Sequence, residues 1–339
     1  MAPVTETIET QRLEGPSGRA FTEVENWLHL PHDWTACDIP GITVGPDDRV
    51  YLFTRGNCPR SADHPVIVLE SDGTFVRSFG EDLFDFAHAI AMGVDGLLYC
   101  VDVGGHRVRV FTPEGELVRT IEGPVSPSDT GYTTDFRTIV RAAGPFNQPT
   151  KMVTAGNGDL FASDGYANAR IHHFTPTGDL RASWGEPGDA HGAFNIPHSV
   201  LVLPDERVLV CDRENNRIQI FDVHGTYLTE WSDFARPDDV CVDDAGHAYV
   251  AELGERAALF PFMVPPYGKD RPARVSVLDL DGNVLTRWGD DPNGPVQFAA
   301  PHGIAVDRHG NVYIAEVREA AGADRSTWRK AVRKLARVA

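Results

Sequence analysis

Three histidines occupy the same position in three copies of an internal repeat, and these copies alternate with copies that lack a histidine there. The three local sequences are Ala87-His88-Ala89-Ile90, Pro197-His198-Ser199-Val200 and Pro301-His302-Gly303-Ile304. If the repeats close into a ring, the three side chains meet near its axis, where three imidazoles can ligate one metal ion. The pattern therefore favours an enzyme over a scaffold protein.

The repeat that carries the histidines has the pattern of a β-propeller blade. Each copy has an apolar strand, a polar turn with Gly or Asp, and a second apolar strand that ends at an acidic residue in most copies. Most copies continue into a third and a fourth strand, most clearly at residues 170–185. Four short strands in a unit of about 40 to 50 residues are typical of a blade. The first strands of the six copies begin near Ile42, Ile90, Met152, Val200, Val240 and Ile304.

The six copies predict an all-β fold, a single six-bladed β-propeller of residues 20–339 that follows an N-terminal arm of residues 1–19. The sixth copy lacks an obvious fourth strand, and residues 20–27 lie upstream of the first complete blade. We predict that this N-terminal strand completes the last blade and closes the ring, which leaves no long exposed edge. The alternation at residues 331–337 predicts a final strand with a solvated face.

Composition and charge exclude several partners. The net charge of −18, from 49 acidic residues against 31 lysines and arginines, opposes binding to nucleic acid. No apolar run is long enough to span a bilayer, and residues 1–15 lack the features of a secretory signal. The five cysteines are odd in number, and disulfides are not expected. These observations predict a cytoplasmic protein that binds neither nucleic acid nor membrane; they leave its oligomeric state open.

Two further polar residues are predicted on the face that carries the histidines. In an up-and-down blade, the start of the first strand and the turn after the second strand lie on one face. Arg55 follows the second strand of the first copy, and Tyr166 follows that of the third. Three long irregular segments, residues 122–147, 253–274 and 317–329, lie on the same face, where insertions usually build a pocket or a lid.

The intervening copies carry Pro40, Thr150 and Asp238 at the histidine position. Asp238 is interpreted either as a partner of a metal ligand or an outer ligand itself, or as the carboxylate of a turn. The other histidines fall on third strands or turn tips, and we expect them at the surface: His106, His172, His173, His224, His247 and His309.

Several local sequences resemble the peptidyl-α-hydroxyglycine α-amidating lyases, which are six-bladed propellers of NHL repeats. The most specific strings are Ser163-Asp164-Gly165-Tyr166 and Ile196-Pro197-His198-Ser199, and similar strings follow in order through all six blades. The resemblance implies that His88, His198 and His302 bind a catalytic zinc ion. It also implies that Tyr166 is the base and that Arg55 binds the substrate carboxylate or tunes the tyrosine.

The chain departs from that family at three positions. Ala167 replaces a disulfide cysteine, and Ala300 replaces a methionine in the wall of the metal pocket. Gly303 replaces an aspartate, which argues against the structural calcium ion of the family. We therefore expect lyase chemistry on a different substrate, a small molecule or short peptide that carries a carboxylate.

Two other classes of function stay open. Three neutral imidazoles suit several metals, so a hydrolase, a hydratase or an oxygen-using enzyme with iron or copper is one alternative. A non-catalytic NHL scaffold that binds protein through the same face is the other, and it predicts no stoichiometric metal.

The segment of residues 253–274 includes an apolar, proline-stiffened stretch at residues 260–267. It either packs on the rim of the fifth blade or overhangs the metal as a lid. A lid there favours compact substrates with an apolar or aromatic group beside the reacting carbon.

Overall fold

The computed structural model describes residues 12–32, 34, 38–55, 65–257, 268–323 and 330–338. Within these ranges, 25 strands form six antiparallel sheets. Within the same ranges, three short 3-10 helices connect strands, at Pro16–Gly18, Phe136–Thr138 and Arg213–Asn215. In the described part of the chain, the helices are all too short or too polar to span a lipid bilayer.

The chain begins with two strands, β1 (Arg12–Glu14) and β2 (Ala20–Glu23). The first blade contains β3 (Gly41–Val44), β4 (Val50–Phe53), β5 (Val66–Leu69) and β6 (Phe75–Phe79). The second blade contains β7 (Ala87–Met92), β8 (Leu98–Asp102), β9 (Arg107–Phe111) and β10 (Leu117–Glu122). The third blade contains β11 (Pro149–Thr154), β12 (Leu160–Asp164), β13 (Arg170–Phe174) and β14 (Leu180–Trp184).

The remaining blades repeat this order. The fourth blade contains β15 (Pro197–Val202), β16 (Val208–Asp212), β17 (Arg217–Phe221) and β18 (Tyr227–Trp231). The fifth blade contains β19 (Pro237–Val242), β20 (Ala248–Glu252), β21 (Arg274–Leu278) and β22 (Val284–Trp288). The sixth blade contains β23 (Pro301–Val306), β24 (Val312–Glu316) and β25 (Val332–Val338).

The sheets close into a ring, as the repeats predict. Each first strand contacts the first strand of the next blade, and β23 of the sixth blade contacts β3 of the first. The N-terminal strand β2 pairs with β25, and β1 pairs with β2, so the sixth sheet has the order β1-β2-β25-β24-β23. The prediction that an N-terminal strand completes the last blade is confirmed. Strand β1 adds a fifth strand from residues within the predicted arm.

The core lies between successive blades. Strands β4 and β5 are buried along their whole length, whereas the outer strand β10 is mostly exposed. Between the third and fourth blades, Phe161 and Ile171 pack with Val200 and Val210. The inner strands are apolar on both faces because each is covered by the neighbouring sheets.

An acidic residue at the end of a second strand fixes the backbone just before each histidine. Its carboxylate accepts a hydrogen bond from a main-chain N–H that precedes the histidine by two or three residues, and it also pairs with an arginine of the third strand. Asp102 accepts from Phe86 N (2.9 Å) and pairs with Arg109. Asp212 accepts from Asn195 N (2.7 Å) and pairs with Arg217. Glu316 accepts from Ala299 N (2.6 Å) and pairs with Arg333. Because a buried carboxylate is costly without partners, these contacts lock the start of each first strand.

Candidate metal centre

The three predicted histidines converge at the centre of the ring. His88, His198 and His302 are the second residues of β7, β15 and β23, and each is at most 2% exposed. Their ring centroids form a nearly equilateral triangle with sides of 4.8, 4.8 and 4.7 Å. Because the histidine-bearing blades alternate around the ring, one side chain approaches the axis from every second blade.

The main chain of the intervening blades fixes the tautomer of each histidine. Each Nδ1 lies within hydrogen-bond distance of the carbonyl oxygen of the residue at the equivalent position in the next blade. The pairs are His88 with Thr150 (2.6 Å), His198 with Asp238 (2.8 Å) and His302 with Pro40 (2.8 Å). A carbonyl can only accept, so each Nδ1 carries the proton and each Nε2 has a free lone pair. This arrangement orients imidazoles as metal ligands.

Burial keeps these imidazoles neutral. It lowers the pKa of all three histidines well below the ordinary value. The charge of Arg213 lowers the pKa of each further, and that of Arg55 lowers the pKa of His88 and His302. A metal ion binds the neutral form of the imidazole. The protonation state required for ligation is therefore the state that the fold imposes.

The space between the histidines fits one ion. A cavity of about 10 Å³ that the three histidines help to line has room for a single ion or water molecule, and the candidate ligand atoms lie within 4.8 Å of one another. The Tyr166 hydroxyl is 2.9 Å from His88 Nε2 and 3.0 Å from His198 Nε2. A phenol donates only one proton, so it can donate to only one of the two Nε2 atoms. In the other contact, a lone pair of the tyrosine oxygen faces the lone pair of the histidine nitrogen. A cation among these atoms removes that repulsion.

Tyr166 is supported from two sides. It lies in the turn between β12 and β13, and its ring packs with Phe136 and Ile196. The guanidinium carbon of Arg213 lies 5.5 Å from the centroid of the same ring. The tyrosine hydroxyl is thus held beside two of the histidines with a cation next to its ring.

Arg213 is a residue of the site that the sequence analysis missed. It is fully buried; burial opposes its charge, but the carboxylates of Glu214 and Asp238 outweigh that effect and raise its pKa. It directly follows β16, the same topological position that Arg55 and Tyr166 occupy in their blades. That shared position after a second strand is the pattern that could have identified it.

Arg55 lies beside the third histidine. Its Nη2 lies 3.4 Å from His302 Nε2, and its guanidinium carbon lies 5.0 Å from the centroid of the Phe86 ring. The centre therefore has a hydroxyl beside His88 and His198 and a cation beside His302.

Asp238 borders the centre. It is fully buried, and its Oδ1 lies 3.4 Å from both His198 Nδ1 and Arg213 Nη1. Burial raises the pKa of its carboxyl group to about 7, although Arg213 opposes that rise. Its position beside a candidate ligand matches the first of the two interpretations that the sequence allowed.

The residues that follow the histidine positions do not suit a calcium ion. Among the described residues lining this part of the channel, Asp239 supplies the carboxylate, and Lys151 forms an ion pair with it. Ser199 Oγ donates to Asp239 Oδ1 over 2.7 Å, and Gly303 offers no side chain. Calcium takes six to eight oxygen ligands. Here, the lysine ammonium already neutralises the carboxylate.

Two histidines predicted at the surface are buried. His172 is fully buried between Asp164 (3.2 Å) and Ser183 (2.7 Å), and His247 is only 9% exposed beside Asp243 (3.0 Å). The prediction was wrong for His172 because third strands are covered by the neighbouring blades. There, His172 takes the place of the arginine that pairs with the acidic residue in other blades. The predicted lid at residues 260–267 lies outside the described residues.

The fold and one matched repeat define the class of protein. The chain is a six-bladed β-propeller, and residues 194–221 match the NHL repeat. Two solved structures with the same fold are a streptogramin B lyase and a gluconolactonase from Xanthomonas campestris. The first has a TM-score of 0.59 and 16% identity, and covers 94% of this chain and 98% of that chain. The second has a TM-score of 0.60 and 12% identity, and covers 96% and 92%. At these identities, the likeness shows the fold alone.

Curated relatives are more similar in sequence. Peptidylglycine alpha-amidating monooxygenase of Rattus norvegicus is 28% identical over 80% of this chain and 26% of its own length. Peptidyl-alpha-hydroxyglycine alpha-amidating lyase 1 of Drosophila melanogaster is 26% identical over 74% of this chain and 47% of its own. NHL repeat-containing protein 3 of Homo sapiens is 29% identical over 86% of this chain and 80% of its own. The chain thus spans about a quarter of the rat monooxygenase, and its relatives include proteins named as amidating enzymes.

Proposed function

We propose that this protein is a metal-dependent lyase that cleaves the C–N bond of an N-acyl-α-hydroxyglycine type of substrate. The observation that carries the proposal is the convergence of three neutral, tautomer-fixed histidines, with Tyr166 beside two of them and Arg55 beside the third. We propose zinc as the metal, because three histidines with an open fourth position are typical of catalytic zinc sites.

The substrate has two arms on its hydroxyl-bearing carbon, a carboxylate and an acylated nitrogen. Arg55 binds the carboxylate, which places the hydroxyl among the three Nε2 atoms. A zinc ion held there supplies Lewis acidity that lowers the pKa of the substrate hydroxyl. Tyr166 faces the same point from the side of His88 and His198.

Cleavage then needs one proton transfer and one bond rearrangement. Tyr166 in its phenolate form accepts the hydroxyl proton, and the electron pair left on oxygen forms a carbonyl as the C–N bond breaks. The departing nitrogen takes the proton from Tyr166, which yields a primary amide and glyoxylate. The guanidinium group of Arg213 places a positive charge against the ring of Tyr166.

An assay with N-benzoyl-α-hydroxyglycine tests the proposal. Zinc-loaded protein is expected to release benzamide and glyoxylate in equal amounts, far above the spontaneous rate, with about one metal ion per chain by elemental analysis. Stoichiometric metal without acceleration would point to a different metalloenzyme. Neither metal nor acceleration would point to a scaffold.

Substitution of Arg55 tests carboxylate recognition. Loss of a charge-assisted hydrogen bond costs about 1.5–3 kcal/mol, so Arg55→Ala is expected to lower kcat/KM roughly ten- to hundredfold. Arg55→Lys restores the charge but not the forked geometry, and only partial recovery is expected. Steady-state kinetics measure both, with the exposed Arg308→Ala as a control. Full activity of Arg55→Lys would show that the fork is not used.

We also propose that the protein resides in a reducing compartment. Three of its cysteines, Cys100, Cys211 and Cys241, are unpaired in the described part of the chain. Burial raises the pKa of each of these thiols, which keeps them as inert core residues. Cell fractionation tests this location.

A further inference from the structure

A cleft of about 460 Å³ opens on the histidine face between the third and fourth blades. Its walls come from the segment between β10 and β11, the turn after β12 and the segment between β14 and β15. The cleft has the size of a small-molecule site. Its wall includes the apolar side chains of Phe136, Ile139, Phe194 and Ile196.

The cleft shares its inner wall with the metal centre. Phe136 and Ile196 line the cleft and also pack against Tyr166. Ile196 lies two residues before His198 along the chain. A group bound in the cleft therefore lies directly behind the tyrosine that faces the histidines.

This wall is rigid. Ile196 has a φ of 57°, which a β-branched residue adopts only when its surroundings hold it there. Its carbonyl accepts a hydrogen bond from Arg213 N (3.1 Å), and the N–H of the preceding Asn195 donates to Asp212 (2.7 Å). The same contacts that position the histidine strand thus fix the shape of the cleft.

The lining favours an apolar ligand group with a neutral polar edge. Phe136 and Ile196 are buried, and the amides of Asn195 and Asn215 lie beside them. Arg137 at the rim is bound by Asp135 through its guanidinium group. An aromatic or branched apolar group gains from burial here.

The orientation of a substrate follows from the two sides of the centre. Arg55 lies by His302, and Tyr166 lies by His88 and His198. The cleft adjoins the Tyr166 side of the centre, through Phe136 and Ile196. On the basis of the proposed function, we infer that this cleft binds the N-acyl group of the substrate and selects aromatic or branched apolar acyl groups.

Ile139 offers a test from the outer wall. Ile139→Trp fills the cleft, and Ile139→Ala enlarges it. Val140→Trp is a matched control, because Val140 is the next residue in the chain and its side chain is 70% exposed. Zinc-loaded protein is assayed with N-acetyl- and N-benzoyl-α-hydroxyglycine. Binding of the unreactive N-acetylglycine and N-benzoylglycine is measured by calorimetry.

The wild type is expected to favour the benzoyl compound at least tenfold in both measurements, in the range that apolar pockets provide. Ile139→Trp is expected to reduce that preference about tenfold, and Ile139→Ala is expected to shift it toward bulkier acyl groups. Val140→Trp leaves it unchanged. The alanine variant keeps the test decisive if the tryptophan variant does not fold.

The two measurements separate the cleft from the reaction. Equal binding of both acylglycines, unaffected by either Ile139 variant, overturns the assignment of the cleft even in an active enzyme. Preferential binding that depends on Ile139, without turnover of either hydroxyglycine, supports the cleft and rejects the lyase reaction.

Discussion

His198→Ala is expected to lose the stoichiometric metal and to reduce turnover on the order of 10³-fold. A bound metal ion contributes several kcal/mol to charge stabilisation, and each 1.36 kcal/mol corresponds to a factor of ten in rate. The two remaining histidines hold their tautomers through carbonyl groups that the substitution does not touch. The loss of metal and of turnover would therefore result from removal of the third ligand and not from a change in the geometry of the other two.

Elemental analysis of the purified variant and a single-turnover assay measure this effect. His309→Ala is the control, because the His309 side chain is 60% exposed and lies in the turn between β23 and β24, at the other end of β23 from His302. Undiminished metal in His198→Ala would contradict the three-histidine site, whatever its effect on turnover.

Tyr166→Phe is expected to keep the metal and the fold and to lower kcat by about 10²–10⁴-fold, the usual contribution of a positioned acid or base. The phenyl ring retains the packing with Phe136 and Ile196 and the contact with Arg213. Only the hydroxyl, which lies 2.9 Å from His88 Nε2, is removed. The expected pattern is a fall in kcat with a small change in KM.

Tyr227→Phe provides the matched control, because Tyr227 lies on the outer strand of the fourth blade. Metal content and thermal melting of both variants establish that the loss is chemical. A near-normal kcat for Tyr166→Phe would assign the tyrosine to the wall of the pocket.

The parts of the site that repeat were predictable from the sequence. The three histidines share one register, and closure of a ring brings equal positions of alternate blades to the axis. The closing strand was predictable for a similar reason, since β2 supplies the strand that the sixth copy lacks. In both cases, the repeat pattern alone determines which residues meet.

Contacts between residues at non-equivalent positions of the repeat were not predictable. Arg213 and Lys151 have the sequence context of surface residues, yet both are buried, because Asp238 and Asp239 reach them from the fifth blade. Buried charges need such partners, but the partners lie in other copies at unequal positions. The burial of His172 was missed for a different reason: its acidic partner Asp164 lies in the same blade, but its cover comes from outside that sheet.

The closing pair of β2 with β25 also governs when the centre can form during synthesis. Ala20 pairs with Val338, so the two strands leave the ribosome separated by almost the entire chain. Loop closure over such a separation is slow compared with hairpin formation inside a blade. Five blades complete their sheets from local strands, while the blade that carries His302 also needs β2 and β25, which lie far apart in the sequence. If the three histidines bind a metal ion as proposed, we expect its capture to follow closure of the ring.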